Sequence, residues 1–308
     1  MTTTIIRTPE ERFANLPDYN FKPNYALQDG VRMHYVDEGP REGETVLCLH
    51  GEPSWSYLYR KMIPILAKEY RTVAPDLIGF GKSDKYTETS AYSYQQQLSS
   101  LERFIEQADL TSVTIVVQDW GGLLGLPLAT LHPHRIKRLV IMNTGLPGDL
   151  GMLMSLQGLG SVAAFMGWRT FSQLAPELPI GEIISAGCYP PMQLPGPIKA
   201  AYEAPFPSSE YKAGARIFPA LVPILPFFAG ADIAEAAREK LRSWQNPALV
   251  MFSDKDPITR SMREFFAKEI PGGVAPIDIK DAGHFLQEDK GEELARHIVN
   301  FIKTASYS

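Results

Sequence analysis

Cysteine is almost absent from this chain: Cys48 and Cys188 are the only two among 308 residues. Two thiols cannot supply the disulfide framework of a small secreted domain, so the fold must rest on a hydrophobic core. Cys48 falls inside the apolar run Thr45–Leu49 and reads as a small buried hydrophobe. Long hydrophobic runs are scarce as well. The N-terminal MTTTIIRTPEERF has no apolar stretch of signal-peptide length, and the expected compartment is the cytoplasm. Leu150–Trp168 lacks formal charge, but Ser155, Gln157, Ser161 and several glycines interrupt it. It reads as an apolar segment facing something inside the protein, not as a membrane span. Positive charge is not in excess: 30 Lys and Arg stand against 35 Asp and Glu, a formal net charge of −5. That balance argues against nucleic acid or an anionic membrane as partner and leaves small neutral molecules open.

Strand-like runs are plentiful. Val31–Val36 alternates as a half-exposed strand, whereas Thr45–Leu49, Thr114–Val117, Arg138–Met142 and Ala248–Phe252 are continuous apolar runs. Short β-branched runs of this kind suit parallel strands buried on both faces. Helical patterns lie between them: Ser93 is positioned to cap a helix in which Leu98, Leu101, Phe104 and Ile105 share a face, and Gly291–Ile302 forms a closing amphipathic helix. The alternation predicts an α/β protein with a mostly parallel, doubly wound sheet. It stops after Thr144 and resumes near Ala248. The stretch between is rich in proline, glycine and aromatics and offers no convincing strand. The expected organisation is therefore a core of residues 1–146 and 223–308, interrupted by a helical insertion at 147–222.

Ligands of open parallel sheets bind beyond the carboxyl ends of the strands. Polar side chains cluster there. His50-Gly51-Glu52-Pro53 follows one strand, Pro75-Asp76 ends the next, and Gln118-Asp119-Trp120-Gly121-Gly122 follows Thr114–Val117. Ser253-Asp254-Lys255-Asp256 and Asp281-Ala282-Gly283-His284 follow the last two. The Val117–Gly122 segment has the form of a nucleophile elbow, a strand running through a tight turn into a helix, with Asp119 at the turn. Asp119 in isolation is better explained as a helix N-cap. The later Asp256 and His284 complete the order nucleophile, acid, base.

A carboxylate nucleophile is ionised without help from a base and can displace a leaving group from saturated carbon, leaving an ester on Asp119. His284 then deprotonates a water that attacks the ester carbonyl. The backbone N–H groups of Glu52 and Trp120 are the candidate oxyanion hole. Asp256 lies further past its strand than Asp254 and is the favoured partner of His284, with Asp254 the alternative. Asn143 follows the preceding strand, so no carboxylate competes there. Trp120 offers an uncharged indole N–H to a departing halide, and Trp168 is the candidate second donor. The plainer reading of Trp120 is a core aromatic, and Trp168 taken alone is more often packing than function. The chemistry calls for no metal or organic cofactor. Its partners are an apolar haloalkane, water and halide, and a monomer is the expected state.

His50–Arg60, Pro75–Ser83 and the elbow resemble the haloalkane dehalogenases of the α/β-hydrolase superfamily, and the similarity runs along most of the core from Tyr25 onward. The resemblance implies an α/β-hydrolase fold with a helical cap over a buried apolar pocket. It implies Asp119 as nucleophile, His284 as base, Asp256 as acid, Trp120 and Trp168 as halide donors, and Phe165, Phe218 and Pro219 as pocket lining. The subfamily indicated places its acid after the later strand and draws one Trp from the cap.

Two rival readings use the same residues. Epoxide hydrolysis needs cap acids, for which Tyr189, Tyr202 and Tyr211 are available. A catalytically idle receptor would need only the cavity. Gly79-Phe80-Gly81-Lys82-Ser83 lacks the first glycine of a phosphate loop, Asp76 standing in its place. His132-Pro133-His134 reads as a surface turn, not as a metal site.

Overall fold

The apolar runs of the sequence become the inner strands of an eight-stranded sheet. In the computed structural model, which describes residues 4–146, 156–189 and 193–305, ten strands are present among those residues. They are β1 (Ile5–Ile6), β2 (Asn24–Gln28), β3 (Val31–Glu38), β4 (Thr45–Leu49), β5 (Arg71–Pro75), β6 (Lys85–Tyr86), β7 (Val113–Gln118), β8 (Ile136–Met142), β9 (Ala248–Ser253) and β10 (Ile277–Ile279). The main sheet has the order β10-β9-β8-β7-β4-β5-β3-β2. Only β3 runs antiparallel to its neighbours. This is the mostly parallel α/β-hydrolase architecture that the strand pattern predicts.

β4, β7 and β9 are buried along their whole length, which is why their sequences do not alternate. β3 is more buried than its sequence suggests: Val31, Met33 and Val36 enter the core while Arg32 and Tyr35 stay half-buried. Ser93 caps the helix Tyr94–Gln107 by accepting the Gln96 N–H. The closing helix is longer than its periodicity indicates, running Leu286–Thr304 with a break at Lys290. The sequence reading missed the short β1–β6 ladder and the β2–β3 hairpin.

Between β8 and β9 the described residues contain helices only: Leu156–Leu174, Ile180–Gly187, Gly196–Glu203, Ala213–Leu221 and Ala231–Leu241, with a short 3-10 turn at Ser209–Lys212. The boundary at residue 147 and the Leu150–Ser155 part of the apolar segment lie outside the described residues. Among the described residues no helix is long and apolar enough to cross a membrane. Cys48 and Cys188 are both buried as free thiols.

Candidate active site

The parallel pairing of β4 with β7 sets Leu49 beside Val117. The two chains therefore leave the sheet together, and the Gly51–Glu52 loop passes directly over Asp119. Contact there is so close that a Cβ on Gly51 would come within 2.4 Å of the Asp119 Cβ. The Glu52 N–H donates to Asp119 Oδ1 at 2.8 Å. The Glu52–Pro53 peptide is cis. Trp120, the residue expected to give the second oxyanion donor, begins the helix Trp120–Leu131.

Asp119 adopts φ 51°, ψ −121°, a conformation that side chains rarely occupy and that typically costs about 1–3 kcal/mol. It stands at the N-cap position of the helix, yet its side chain makes no capping hydrogen bond. Its carboxylate turns the other way, with Oδ2 lying 3.5 Å from His284 Nε2. The opposite ring nitrogen, His284 Nδ1, is 3.2 Å from Asp256 Oδ1. Asp256 is buried, and its oxygens also accept from the Ile258 and Thr259 backbone N–H groups and from the Thr259 hydroxyl. Asp254 pairs instead with Lys255 at 3.3 Å.

Burial disfavours the His284 imidazolium, but the charge of Asp256, followed by contacts with Asp119, outweighs it and pushes the group up to about 10. Burial likewise penalises the Asp256 carboxylate, yet His284 and the surrounding donors hold it below its usual range. Glu52 behaves oppositely. Burial, reinforced by the neighbouring charge of Asp119, drives its carboxyl well above the usual range.

These groups face an apolar cavity of about 770 Å³, on whose wall stand Trp120, Leu123, Phe165, Trp168, Pro219 and Phe285. Trp120 is buried and also reaches the wall. Trp168 reaches it too, but its indole N–H donates to Glu52 Oε2 at 3.2 Å. Phe218 requires a correction: it is fully buried behind the wall, its ring 4.5 Å from that of Trp120 and 4.7 Å from Phe80. It braces Trp120 and is absent from the cavity wall, its ring packed among Trp120, Phe80 and Tyr92 while the adjacent Pro219 reaches the cavity.

Tyr189, Tyr202 and Tyr211 are absent from the cavity wall among the described residues. Tyr202 donates to Glu288 and Tyr211 to the Arg7 carbonyl. Asp76, which the strand-end pattern also singles out, is a buried clamp: it accepts the Ser56 and Lys82 N–H groups and pairs with His34. His132 pairs with Glu102 at 3.2 Å, and no group of metal-ligating side chains occurs among the described residues.

Asn143 and Gln118 are strand-end residues whose tasks appear only in the structure. Asn143 Nδ2 donates to Ser253 Oγ and to the Gly283 and His284 carbonyls, tying the His284 loop to the ends of β8 and β9. Gln118 lies against the His284 ring. The available signal was a polar residue ending an otherwise apolar strand.

The chain matches the family described as alpha/beta hydrolase fold over residues 44–291. It is 46% identical to a haloalkane dehalogenase of Psychrobacter cryohalolentis, covering 97% of this chain and 98% of the relative. Identity to a haloalkane dehalogenase of Mycobacterium marinum is 42%, covering 96% and 99%. A solved structure of haloalkane dehalogenase DpaA from Paraglaciecola agarilytica NO2, reported as a tetramer, superposes with a TM-score of 0.86 at 36% identity, covering 96% of this chain and 97% of that one. An aspartate at the elbow, a histidine between two carboxylates and relatives similar along nearly their full length agree: the chain belongs to the alpha/beta hydrolase fold family and, within it, to the haloalkane dehalogenases.

Proposed function

We propose that the chain converts haloalkanes and water to alcohols and halide through a covalent ester on Asp119. The observation that carries this reading is His284, held between Asp119 Oδ2 at 3.5 Å and Asp256 Oδ1 at 3.2 Å beside the apolar cavity. Asp119 attacks the halogen-bearing carbon; the new C–O bond forms as the C–halogen bond breaks and the halide leaves with the electron pair. Trp120 donates its indole N–H to that halide. Trp168 joins it by rotating away from Glu52 or acts by packing alone. His284, oriented by Asp256, takes a proton from water, and the hydroxide attacks the ester carbonyl. The Glu52 and Trp120 N–H groups stabilise the resulting oxyanion, and collapse releases the alcohol and restores Asp119. The apolar wall excludes competing water until the halide has formed.

Residues 147–222 act as the cap of this pocket, because Phe165, Trp168 and Pro219 come from them and face Asp119 across the cavity. All the proposed reacting groups belong to one chain, so a monomer is sufficient for activity. Tyrosines committed away from the cavity disfavour epoxide opening.

The test is halide release from chloro-, bromo- and iodoalkanes alongside diol release from an epoxide panel. Halide without diol is expected; diol without halide would reverse the reading. His284→Ala should release about one halide per site and then stall with substrate carbon attached to Asp119, detectable by peptide mass spectrometry. A stalled enzyme without that adduct would remove Asp119 as nucleophile. Activity after dilution to conditions where sizing shows single chains checks monomer sufficiency.

A further inference from the structure

Gln118 ends β7 one residue before Asp119 and is fully buried. Its Nε2 lies 3.3 Å from the His284 carbonyl oxygen and 3.3 Å from His284 Nε2. The carbonyl can only accept, which fixes the amide with its NH2 group toward residue 284. One hydrogen meets that carbonyl, and the other is directed at the imidazole. Among the described residues Oε1 is buried without a partner, so nothing there favours the flipped amide.

A donor aimed at Nε2 requires a bare lone pair there. It therefore favours the neutral ring with its proton on Nδ1, facing Asp256. That tautomer is the only one able to take a proton from water at Nε2. Asp119 acts on the same nitrogen in the opposite sense: its Oδ2, 3.5 Å away, draws a proton onto Nε2. The charged or ionisable groups around the ring are Asp119 from the elbow, Asp256 from the loop after β9 and Glu52, whose carboxyl burial pushes up, from the loop after β4. While Asp119 is a carboxylate, two negative charges dominate and the ring is an imidazolium. Alkylation converts Asp119 into an uncharged ester. The strongest reason for a proton on Nε2 then disappears, and the Gln118 donor remains.

We propose that Gln118 is a positioning residue that selects the base form of His284 after Asp119 has been alkylated, thereby committing the enzyme to ester hydrolysis. This rests on the covalent reading of Asp119 given above. The balance closes. The imidazolium proton leaves to solvent after halide departure, and the neutral ring takes a new proton from the attacking water. Each turnover converts haloalkane and water into alcohol, halide and one released proton.

The test uses the full chain with 1-bromobutane, following the bromide burst and the later butanol release by rapid quench across pH. Gln118→Leu removes the donor at similar size, and Gln118→Glu replaces it with an acceptor. Both should keep a burst of about one bromide per site while hydrolysis near neutral pH slows by about tenfold or more. The pH dependence of hydrolysis should move toward alkali by about one unit for Leu and further for Glu, with the rate recovered at high pH. A purely structural role would lower burst and hydrolysis together and leave the pH dependence in place; that result in both variants would overturn the proposal. Asn143→Ala serves as the comparison, since it loosens the His284 loop without touching Nε2 and should slow hydrolysis at unchanged pH dependence. Absence of a substrate adduct on Asp119 in His284→Ala would remove the ester reading and this proposal together; an adduct there with unshifted Gln118 variants would remove only this one.

Discussion

Asp119 could cap a helix or attack carbon, and the destinations of its two oxygens distinguish the roles. Oδ1 takes the Glu52 N–H and Oδ2 faces His284, so neither satisfies the helix that follows. The same reasoning separates the two candidate acids: Asp256 meets His284, and Asp254 meets Lys255. Asp256→Ala should therefore cut turnover by roughly a thousandfold or more, as loss of an orienting triad carboxylate does elsewhere. Asp254→Ala should stay within a few-fold of the parent. Equal losses in steady-state halide release would leave the assignment without support. The electrostatics of His284 also predict a pH dependence of stability. Its folded group lies up at about 10, above the roughly 6.5 of an unfolded histidine, so the folded state holds the proton more tightly. The resulting stabilisation is fully present below about pH 6.5 and is lost as pH rises through about 10. Asp119→Asn removes one of the two charges responsible. Thermal melts between pH 7 and 10 should show a shallower decline for that variant than for the parent, and parallel declines would mean that Asp119 does not hold the proton.

At the scale of elements, the elbow works because its glycines let a helix start against a strand. A Cβ on Gly121 would come within 2.0 Å of the Leu49 carbonyl oxygen, and one on Gly122 would come equally close to Thr144 Oγ1. Backbone cannot yield as a flexible side chain can, so Gly121→Ala should destabilise by about 3 kcal/mol or more in chemical denaturation. Gly160 is the control. It lies in the helix Leu156–Leu174, and among the described residues nothing stands within 4 Å of its missing Cβ. Gly160→Ala should be neutral or stabilise by up to about 1 kcal/mol. Similar costs at both positions would show that glycine flexibility, and not close approach, governs the elbow. The elbow was legible because a buried strand, a tight turn and a helix each leave a local signature. β4, β7 and β9 were legible for the same reason, each being a continuous run buried on both faces. The β2–β3 hairpin was missed despite its Asp29–Gly30 turn, both residues at positive φ, because Asn24–Gln28 is too polar to register as a strand. The aromatics of 147–222 were harder still. Phe218 and Pro219 are adjacent in sequence but occupy opposite sides of the cavity wall, and the direction of a side chain depends on how its helix docks. The Trp168–Glu52 contact joins residues whose proximity no local pattern encodes.

The cavity draws Phe165, Trp168 and Pro219 from the helices between β8 and β9, and one buried ionic cluster ties those helices to the rest of the molecule. Glu288 of the closing helix is buried with Arg60, whose guanidinium contacts both carboxylate oxygens, the Nη2–Oε2 bond measuring 2.9 Å. Lys61 lies 3.1 Å from Oε2, and the Tyr202 hydroxyl, contributed by the cap, donates to Oε1. Burial penalises the Glu288 carboxylate, but Arg60 overrides it and holds the group below its usual range. Its stabilising contribution is therefore present above the unfolded glutamate range and is lost as pH falls through the lowered folded value. The cluster divides into two parts with different consequences. Arg60 neutralises the charge, so Arg60→Ala leaves Glu288 undercompensated in a dry environment and should cost about 3–5 kcal/mol. Tyr202 supplies one hydrogen bond to a charged acceptor, and Tyr202→Phe should cost about 1.5–3 kcal/mol while Arg60 keeps the carboxylate paired. Since Tyr202 is absent from the described cavity wall, that loss should fall on cap attachment and not on bond cleavage. The phenylalanine variant is thus expected to melt earlier and to lose protection from proteolysis first within 156–221, with an unchanged bromide burst at low temperature. A diminished burst in a variant that remains fully folded would instead place Tyr202 in the chemistry and reopen the epoxide reading, which needs a cap hydroxyl within reach of the substrate.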